Sequence, residues 1–522
     1  MSLKCGEKPK GRKYADLCGD DGVGFSRRFT GRWGHAAKFV VGLGSWIVWD
    51  GLHWRPDGNG QAIRWAIETL DYAEQRDLAL VMAKWSVTTF DSGADDSGQD
   101  MRMVEGEDAA LDRQERKTLA AKEWGRLLSF FKKAREPHRV TSMLTSFAAT
   151  APGMHLEVEE LDADPWLLGT ANGVLELKTG TLRDTRIGDY ITKPVTIDYN
   201  PSAPRVAWEA FLKQILPDAD VRHYIKKTIG YSATGSTREQ KLFVAVGEGA
   251  NGKSVFLNVA ARVLGPNAGH IASKTIINRR SDAHSADLAT LIGKRMVITA
   301  EPARGGLSED LVKAVTGSDP ITANRMRMDP TTFKPKFTLF LAANDWLSVR
   351  GADHGIWRRL LPIPFEVTIP EAEQKRDLED ELFEGEAAGI LAWVVEGCLE
   401  YQAEGLAPPE AINQACEMWR EDSDPTPRFL HAVFDYGPRE LIEERLHKDL
   451  YKLAKAWWFD EGRDDVPDNY TFGKMLNHAG VQLKKRRDGQ YRCVPQLKAE
   501  WAHVIREDDG APLRRIPWAG EG

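Results

Sequence analysis

Nowhere in this chain do roughly eighteen uncharged apolar residues follow one another, the length that would let a helix cross a bilayer. The opening MSLKCGEKPKGRKYADLCGDDG lacks the apolar core of an export signal, so a cytoplasmic protein without membrane partners is expected. Cysteine is scarce and unpaired. Cys5, Cys18, Cys398, Cys416 and Cys493 show no C-x-x-C spacing, which argues against a disulfide framework and against a zinc ribbon. A basic surplus is missing too: 70 Lys and Arg stand against 77 Asp and Glu, a net charge of −7. Any contact with nucleic acid must therefore come from local clusters and not from a basic coat. The 42% hydrophobic content is that of a globular protein, and 522 residues are too many for one core, which suggests about three or four domains.

One motif stands out. Gly247-Glu248-Gly249-Ala250-Asn251-Gly252-Lys253-Ser254 matches G-x-x-x-x-G-K-[ST] in full, between the signatures of a strand and a helix. Leu242 to Val246 is apolar enough for a buried parallel strand; Val255, Phe256, Val259, Ala260, Val263 and Leu264 then repeat at helical spacing as far as Gly265-Pro266. In that setting Gly247, Gly249 and Gly252 let backbone N–H groups converge on phosphate oxygens at a helix N-terminus. Lys253 is expected to reach the β- and γ-phosphates of ATP, and Ser254 to hold Mg²⁺.

Downstream strands supply further chemistry. The run from Leu291 ends at Glu301, a carboxylate suited to polarise the attacking water or to hold a Mg²⁺-bound one. Thr338 to Ala343 ends at Asn344, whose amide can sense a γ-phosphate and position water. Beyond it, Trp357-Arg358-Arg359 offers guanidinium groups for transition-state charge. The carboxyl edge of one parallel sheet is the expected meeting place of these residues.

Elsewhere the patterns are mostly structural. Residues 1–28 read as a loose arm, and Ser45 to Trp54 as a hairpin around Asp50-Gly51 whose tryptophans serve the core before any base stacking. Helices are expected over 62–83, 105–149 and 205–235, with a polar loop over 91–100. Asp162-x-Asp164 is set aside as a two-metal site, because Pro165 breaks the strand and no third ligand stands nearby. The acidic run Glu371 to Glu384 reads as a solvated helix face. After Pro427, a helix over 446–459, a short helix over 471–479 and a hairpin at Asp488-Gly489 suggest a winged helix-turn-helix. Its hairpin carries Lys484, Lys485, Arg486, Arg487 and Arg492 as phosphate contacts, with a solvated charged hairpin as the competing reading.

The segments GEGANGKS, GKRMVITAEP, LVKAVTGSDPITANRMRMDP, FTLFLAAND and GIWRRLLPIPF resemble, in order, the motifs of superfamily 3 helicases of the phage and plasmid primase-helicase family, which includes the poxvirus primase-helicase. The upstream ADPWLLGTANGVLELKTG resembles the domain that precedes the motor there, so the likeness covers about residues 160–370. It implies an α/β architecture: an α+β N-terminal domain (29–200), a helical collar (201–235), an AAA+ P-loop motor with a central parallel sheet (236–370), a helical segment (371–425), a winged helix (426–505) and a tail (506–522). It also implies an ATP- and Mg²⁺-dependent ring, usually a hexamer, that translocates on single-stranded DNA and opens forked DNA for a phage or mobile element in a bacterial cytoplasm. By the same resemblance Arg358 or Arg359 is an arginine finger acting on a neighbour's nucleotide. Ile321 to Phe337 is the channel hairpin, with Arg325, Arg327, Lys334 and Lys336 as DNA contacts. Two positions depart from the family pattern: Ala300 stands before Glu301 where many phosphate-loop ATPases carry an acid, and Asn344-Asp-Trp-Leu-Ser348 lacks the proline often found there. With neither a zinc-binding cysteine set nor an acidic metal site, a separate primase is expected. An origin-binding initiator whose ATPase controls assembly is the alternative reading; a small-molecule kinase has no use for the arginine pair or the basic 325–336 segment.

Overall fold

A computed structural model describes residues 21–86, 113–276, 284–299, 307–317, 319–323, 331–347, 349, 354–436, 441–462, 466–505 and 514–517. The chain divides into two compact units, Met1–Glu176 with Thr181–Thr196, and Leu177–Gly180 with Ile197–Gly522.

The first unit is α+β. Helix Gly22–Trp33 begins at Asp21, whose carboxylate accepts from Gly24 N at 2.7 Å. A four-stranded sheet runs in the order Trp54–Pro56, Ser45–Trp49, Ala37–Val40, His155–Leu156, antiparallel except for the last pair. The expected hairpin turns on Asp50, which accepts from Leu52 N and His53 N at 2.9 and 2.8 Å. Trp54 is wholly buried and Trp46 nearly so, so these tryptophans are core, as their pattern suggested. Helices Gln61–Ser86 and Arg113–Ala134 cover the sheet's helical side, and Pro137 opens a new short helix where the sequence suggested one continuous helical region. The polar 91–100 segment lies outside the described residues. Asp162 accepts from Thr192 N at 2.8 Å and from Thr192 Oγ1 at 2.5 Å, while Asp164 accepts from Trp166 N at 2.9 Å. Both carboxylates brace turns.

The second unit is built on a five-stranded, wholly parallel sheet in the order Leu360–Pro364, Leu242–Val246, Thr338–Ala343, Met296–Thr299, Ala268–Ile271. Numbered along the chain, that order is 5-1-4-3-2. Its central strands are buried at every position and almost wholly apolar, because both faces are covered. Leu242, Val244 and Val246 face a core shared with Leu339 and Leu341, while Phe243 stacks on Phe340 with ring centroids 5.1 Å apart.

Helices Val206–Ile215, Ala219–Ala233 and Leu378–Glu404, far apart in sequence, make one helical layer, while helix Glu410–Ser423 sends Trp419 into the core on the Leu242 and Val244 face of the sheet. Helix Ala219–Ala233 crosses Leu378–Glu404 backbone to backbone. A Cβ on Gly230 would lie 2.1 Å from Cys398 N, and one on Gly397 would lie 2.2 Å from Lys226 O. Beside that contact Arg205 pairs with Glu396 at 2.8 Å, Lys226 with Glu400 at 2.7 Å and Lys227 with Glu404 at 3.0 Å. Glu386 interrupts the long helix with φ −135° and caps a second one, accepting from Ala207 N and Trp208 N at 2.9 and 2.8 Å.

Near the C-terminus come helix Thr426–Val433, strand Leu441–Leu446, helices His447–Asp460 and Asn469–His478, and hairpin Leu483–Arg486/Gly489–Val494. The hairpin's second strand pairs antiparallel with Leu441–Leu446. Phe429, Trp457, Trp458 and Phe472 pack into one core beneath them.

The glycine crossing gives a direct test. Gly230→Ala should destabilise the chain by about 1–3 kcal/mol, the usual range for overpacking, since the atom it meets is backbone. Gly385→Ala, with nothing within 4 Å of the added carbon, should be neutral or mildly stabilising. Denaturant midpoints of the two variants provide the check.

Candidate functional site

The phosphate-loop motif occupies the turn from the central strand Leu242–Val246 into helix Lys253–Leu264. Two of its glycines are required by geometry. Gly247 has φ +155°, and a Cβ there would lie 2.1 Å from Phe365 O; Gly252 has φ +81° and would meet Ile215 at 2.6 Å. Gly249 differs: an added Cβ meets nothing, so local packing does not demand glycine there. Asn251, counted in the sequence among the nucleotide-binding residues of the motif, turns its side chain to bracing the loop. It is 3% exposed, and its Nδ2 donates to Glu248 O at 2.5 Å and Phe365 O at 3.1 Å. Ala250 O accepts from Ile369 N at 2.7 Å, so the chain beyond the edge strand is bonded to the loop a second time. The only sequence signal for this seat was Gly247 itself.

Lys253 is 5% exposed, and its ammonium donates to Gly247 O at 2.5 Å, Glu248 O at 3.4 Å and Asn344 Oδ1 at 3.2 Å. Ser254 is exposed on the helix's first turn. Asn344 directly follows Ala343, which is paired with Val246. Lys253, Ser254 and Asn344 thus meet at the carboxyl edge of the sheet. Glu301 lies outside the described residues; the strand that leads to it, Met296–Thr299, runs parallel to Thr338–Ala343. A buried ammonium at a helix N-terminus, facing neutral oxygens, suits a polyanion such as a triphosphate.

The arginine pair corrects one expectation. Leu360 is paired with Leu242 and Pro364 with Val246, so Arg358 and Arg359 precede the amino end of their strand and sit at the edge opposite the phosphate loop. Five strand residues separate those edges by roughly 16 Å. The two arginines also differ in kind. Arg359 is 9% exposed and donates to Thr316 Oγ1 at 3.2 Å and Gly355 O at 2.5 Å. Arg358 is exposed and donates to Gln240 Oε1 at 3.1 Å.

A family model described as D5 N terminal like matches residues 26–217, and one described as a family of unknown function matches 245–359. A helicase-named protein of Acanthamoeba polyphaga mimivirus is 29% identical over 357 residues, 63% of this chain and 37% of that protein. A helicase-named protein of Frog virus 3 is 22% identical over 498 residues, 78% of this chain and 50% of that one. A primase-named protein of African swine fever virus is 26% identical over 218 residues, 39% and 22% of the two chains. The chain carries a D5 N terminal like region and resembles the helicase- and primase-named proteins of large DNA viruses. It spans half or less of the length of these curated relatives. They come from viruses of eukaryotes, so they lend no support to a bacterial host. Among solved structures, the C-terminal region of NrS-1 matches over 58% of this chain and 77% of that one, at 11% identity and a TM-score of 0.35, too low to carry an argument. No helix among the described residues is long and apolar enough to cross a membrane.

The chain carries two basic hairpins. In the first, Ile321–Ala323 pairs antiparallel with Thr331–Phe333, and Lys334 and Lys336 follow it, both exposed. Arg325 and Arg327 lie outside the described residues. In the second, alternate positions have different partners. Lys484 and Arg486 both pair with Glu444, Lys484 at 3.0 Å, and Glu444 is 3% exposed. Their first task is thus to brace the hairpin against its neighbouring strand. Lys485 and Arg487 are exposed and have no ion-pair partner among the described residues. Arg492 was expected to contact phosphate, but it is 3% exposed and donates to Asn477 Oδ1, to Val481 O at 3.1 Å and to Gly473 O at 2.9 Å. It ties helix Asn469–His478 to the hairpin.

The hydrogen bond from Lys484 holds the Glu444 carboxyl below the usual carboxylate range, and Glu444 in turn raises the Lys484 ammonium. Stability from Glu444 is therefore present above the ordinary carboxylate value and lost as pH falls through its lowered one. Lys484 contributes below the ordinary ammonium value and loses its share as pH rises through the raised one. Glu444→Gln should weaken the C-terminal segment at neutral pH and flatten its acid-side loss of stability. Thermal melts across an acid pH series, followed by tryptophan fluorescence, measure both.

Proposed function

We propose that this chain is an ATP- and Mg²⁺-dependent DNA helicase of replication, an AAA+ motor of the superfamily 3 type acting as a homo-oligomeric ring, in the manner of a hexamer. The observation that carries the reading is the 3.2 Å contact of Lys253 Nζ with Asn344 Oδ1, at the carboxyl edge of a parallel sheet ordered 5-1-4-3-2. An exposed arginine at the opposite edge adds weight to it.

In this reading Lys253 exchanges its loop-carbonyl partners for the β- and γ-phosphate oxygens of ATP, and the N–H groups of residues 247–254 hold the rest of the chain of phosphates. Ser254 would hold Mg²⁺, which when bound would supply charge neutralisation on those oxygens. Asn344, fixed by its contact with Lys253, senses the γ-phosphate and positions water, and Glu301 takes the water's proton. Arg358 cannot reach its own loop, so it serves the neighbour's site; buried Arg359 holds the segment in place. Lys334 and Lys336, with Arg325 and Arg327, are the contacts for single-stranded DNA. The C-terminal helix, strand, helix, helix and hairpin form a winged helix-turn-helix, in which Lys485 and Arg487 face duplex phosphates at the fork. Asp162 and Asp164 have turn-bracing tasks, so primase chemistry is assigned to a separate protein or module.

That winged helix favours one other reading, an origin-binding initiator whose ATPase controls assembly. Forked-DNA unwinding separates the two. The helicase reading expects ATP-dependent strand separation that Lys253→Ala abolishes, with circular dichroism unchanged and turnover down by at least about a thousandfold, in keeping with loss of phosphate-clamping charge. ATP-controlled duplex binding without strand separation would favour the initiator.

A further inference from the structure

The turn before the central strand has a feature the proposed reaction has not yet used. Gln240 has φ +54°, a left-handed conformation that a residue with a Cβ adopts at a cost. The turn is held on both sides: Gln240 N donates to Thr237 O at 3.0 Å, Glu239 N to the Tyr231 hydroxyl at 3.1 Å, and the Tyr401 hydroxyl to Glu239 Oε1 at 2.7 Å. Three successive residues then grip the arginine pair. Gln240 Oε1 accepts from Arg358 Nη2 at 3.1 Å, Lys241 Nζ donates to Arg358 O at 2.7 Å, and Leu242 N donates to Arg359 O at 2.8 Å.

We propose that Gln240 is a positioning residue, holding the Arg358 guanidinium so that it presents its charge to the ATP site of a second copy of this chain. The acceptor is a neutral amide. A carboxylate in its place would neutralise the guanidinium, whereas an amide orients it and leaves the positive charge for developing phosphoryl charge. The strained backbone stands at the residue whose side chain touches Arg358, which is where strain kept for function is expected. The inference rests on the ring-ATPase reading and adds to it a residue outside the sequence motifs.

Gln240→Gly in the full chain separates positioning from folding. Glycine relieves the left-handed backbone, so thermal stability should stay equal or rise, while the amide is lost. Steady-state ATP hydrolysis with Mg²⁺ and single-stranded DNA should show kcat reduced by about tenfold with KM within about twofold, since the loop that binds ATP is untouched. Gln240→Asn, which tolerates the same backbone and keeps an amide, should recover part of the rate. Gln240→Glu should lower kcat as well, by pairing with the guanidinium. In an Arg358→Ala background, Gln240→Gly should add no further loss. Parental kcat in Gln240→Gly beside an inactive Arg358→Ala would overturn the role of Gln240 alone. Full hydrolysis by Arg358→Ala would overturn the shared-site reading, and the positioning role with it.

Discussion

The carbonyl of Phe365 shapes the phosphate loop. It accepts from Asn251 Nδ2 at 3.1 Å, and a Cβ on Gly247 would lie 2.1 Å from it, so the loop can close only around glycine. Phe365 N donates to Val246 O at 2.7 Å, which seats the end of the edge strand against the end of the central one. With the loop held from this side, Lys253 is drawn into contact with Asn344, and the parallel register of Thr338–Ala343 with Leu242–Val246 brings that asparagine to the same edge. A strand slipped by one residue would turn the apolar set to the wrong face and move Asn344 off the site.

The sheet also separates two chemistries by its own width. Lys253, Ser254 and Asn344 gather at the carboxyl edge, and the exposed arginine stands at the amino edge, roughly 16 Å away. In the proposed ring, each chain's amino-edge arginine meets the next chain's phosphate loop. The helical layer supports the phosphate-loop helix along its length: Arg262 and Asn258 pair with Asp380 and Glu379 at 2.6 and 3.0 Å, at the start of the helix that Gly230 crosses.

How legible all this was in the sequence depends on locality. Strand, loop and helix at 242–264 were readable because the motif and both flanking periodicities agree, and Asp50 marked its hairpin by turn chemistry. The union of helix Ala219–Ala233 with Leu378–Glu404 was not, since a backbone-to-backbone crossing leaves only isolated glycines such as Gly230 and Gly397 as its trace. Burial of charge was equally hidden. Arg358 and Arg359 are identical letters side by side, yet one is exposed and one buried; Arg492 resembles the other hairpin cations but locks a helix. Gln240 carried no motif at all, because its role lies in a backbone angle and one long-range contact.

The central claim is that catalysis is shared between copies of the chain, with Lys253 from one and Arg358 from the next. Mixing Lys253→Ala with Arg358→Ala protein tests it most directly. Each variant alone should be inactive, and in random mixed oligomers about a quarter of the interfaces would pair an intact loop with an intact arginine, so hydrolysis should reappear to roughly that extent. No recovery in oligomers shown to be mixed, or full turnover by Arg358→Ala on its own, would contradict the account.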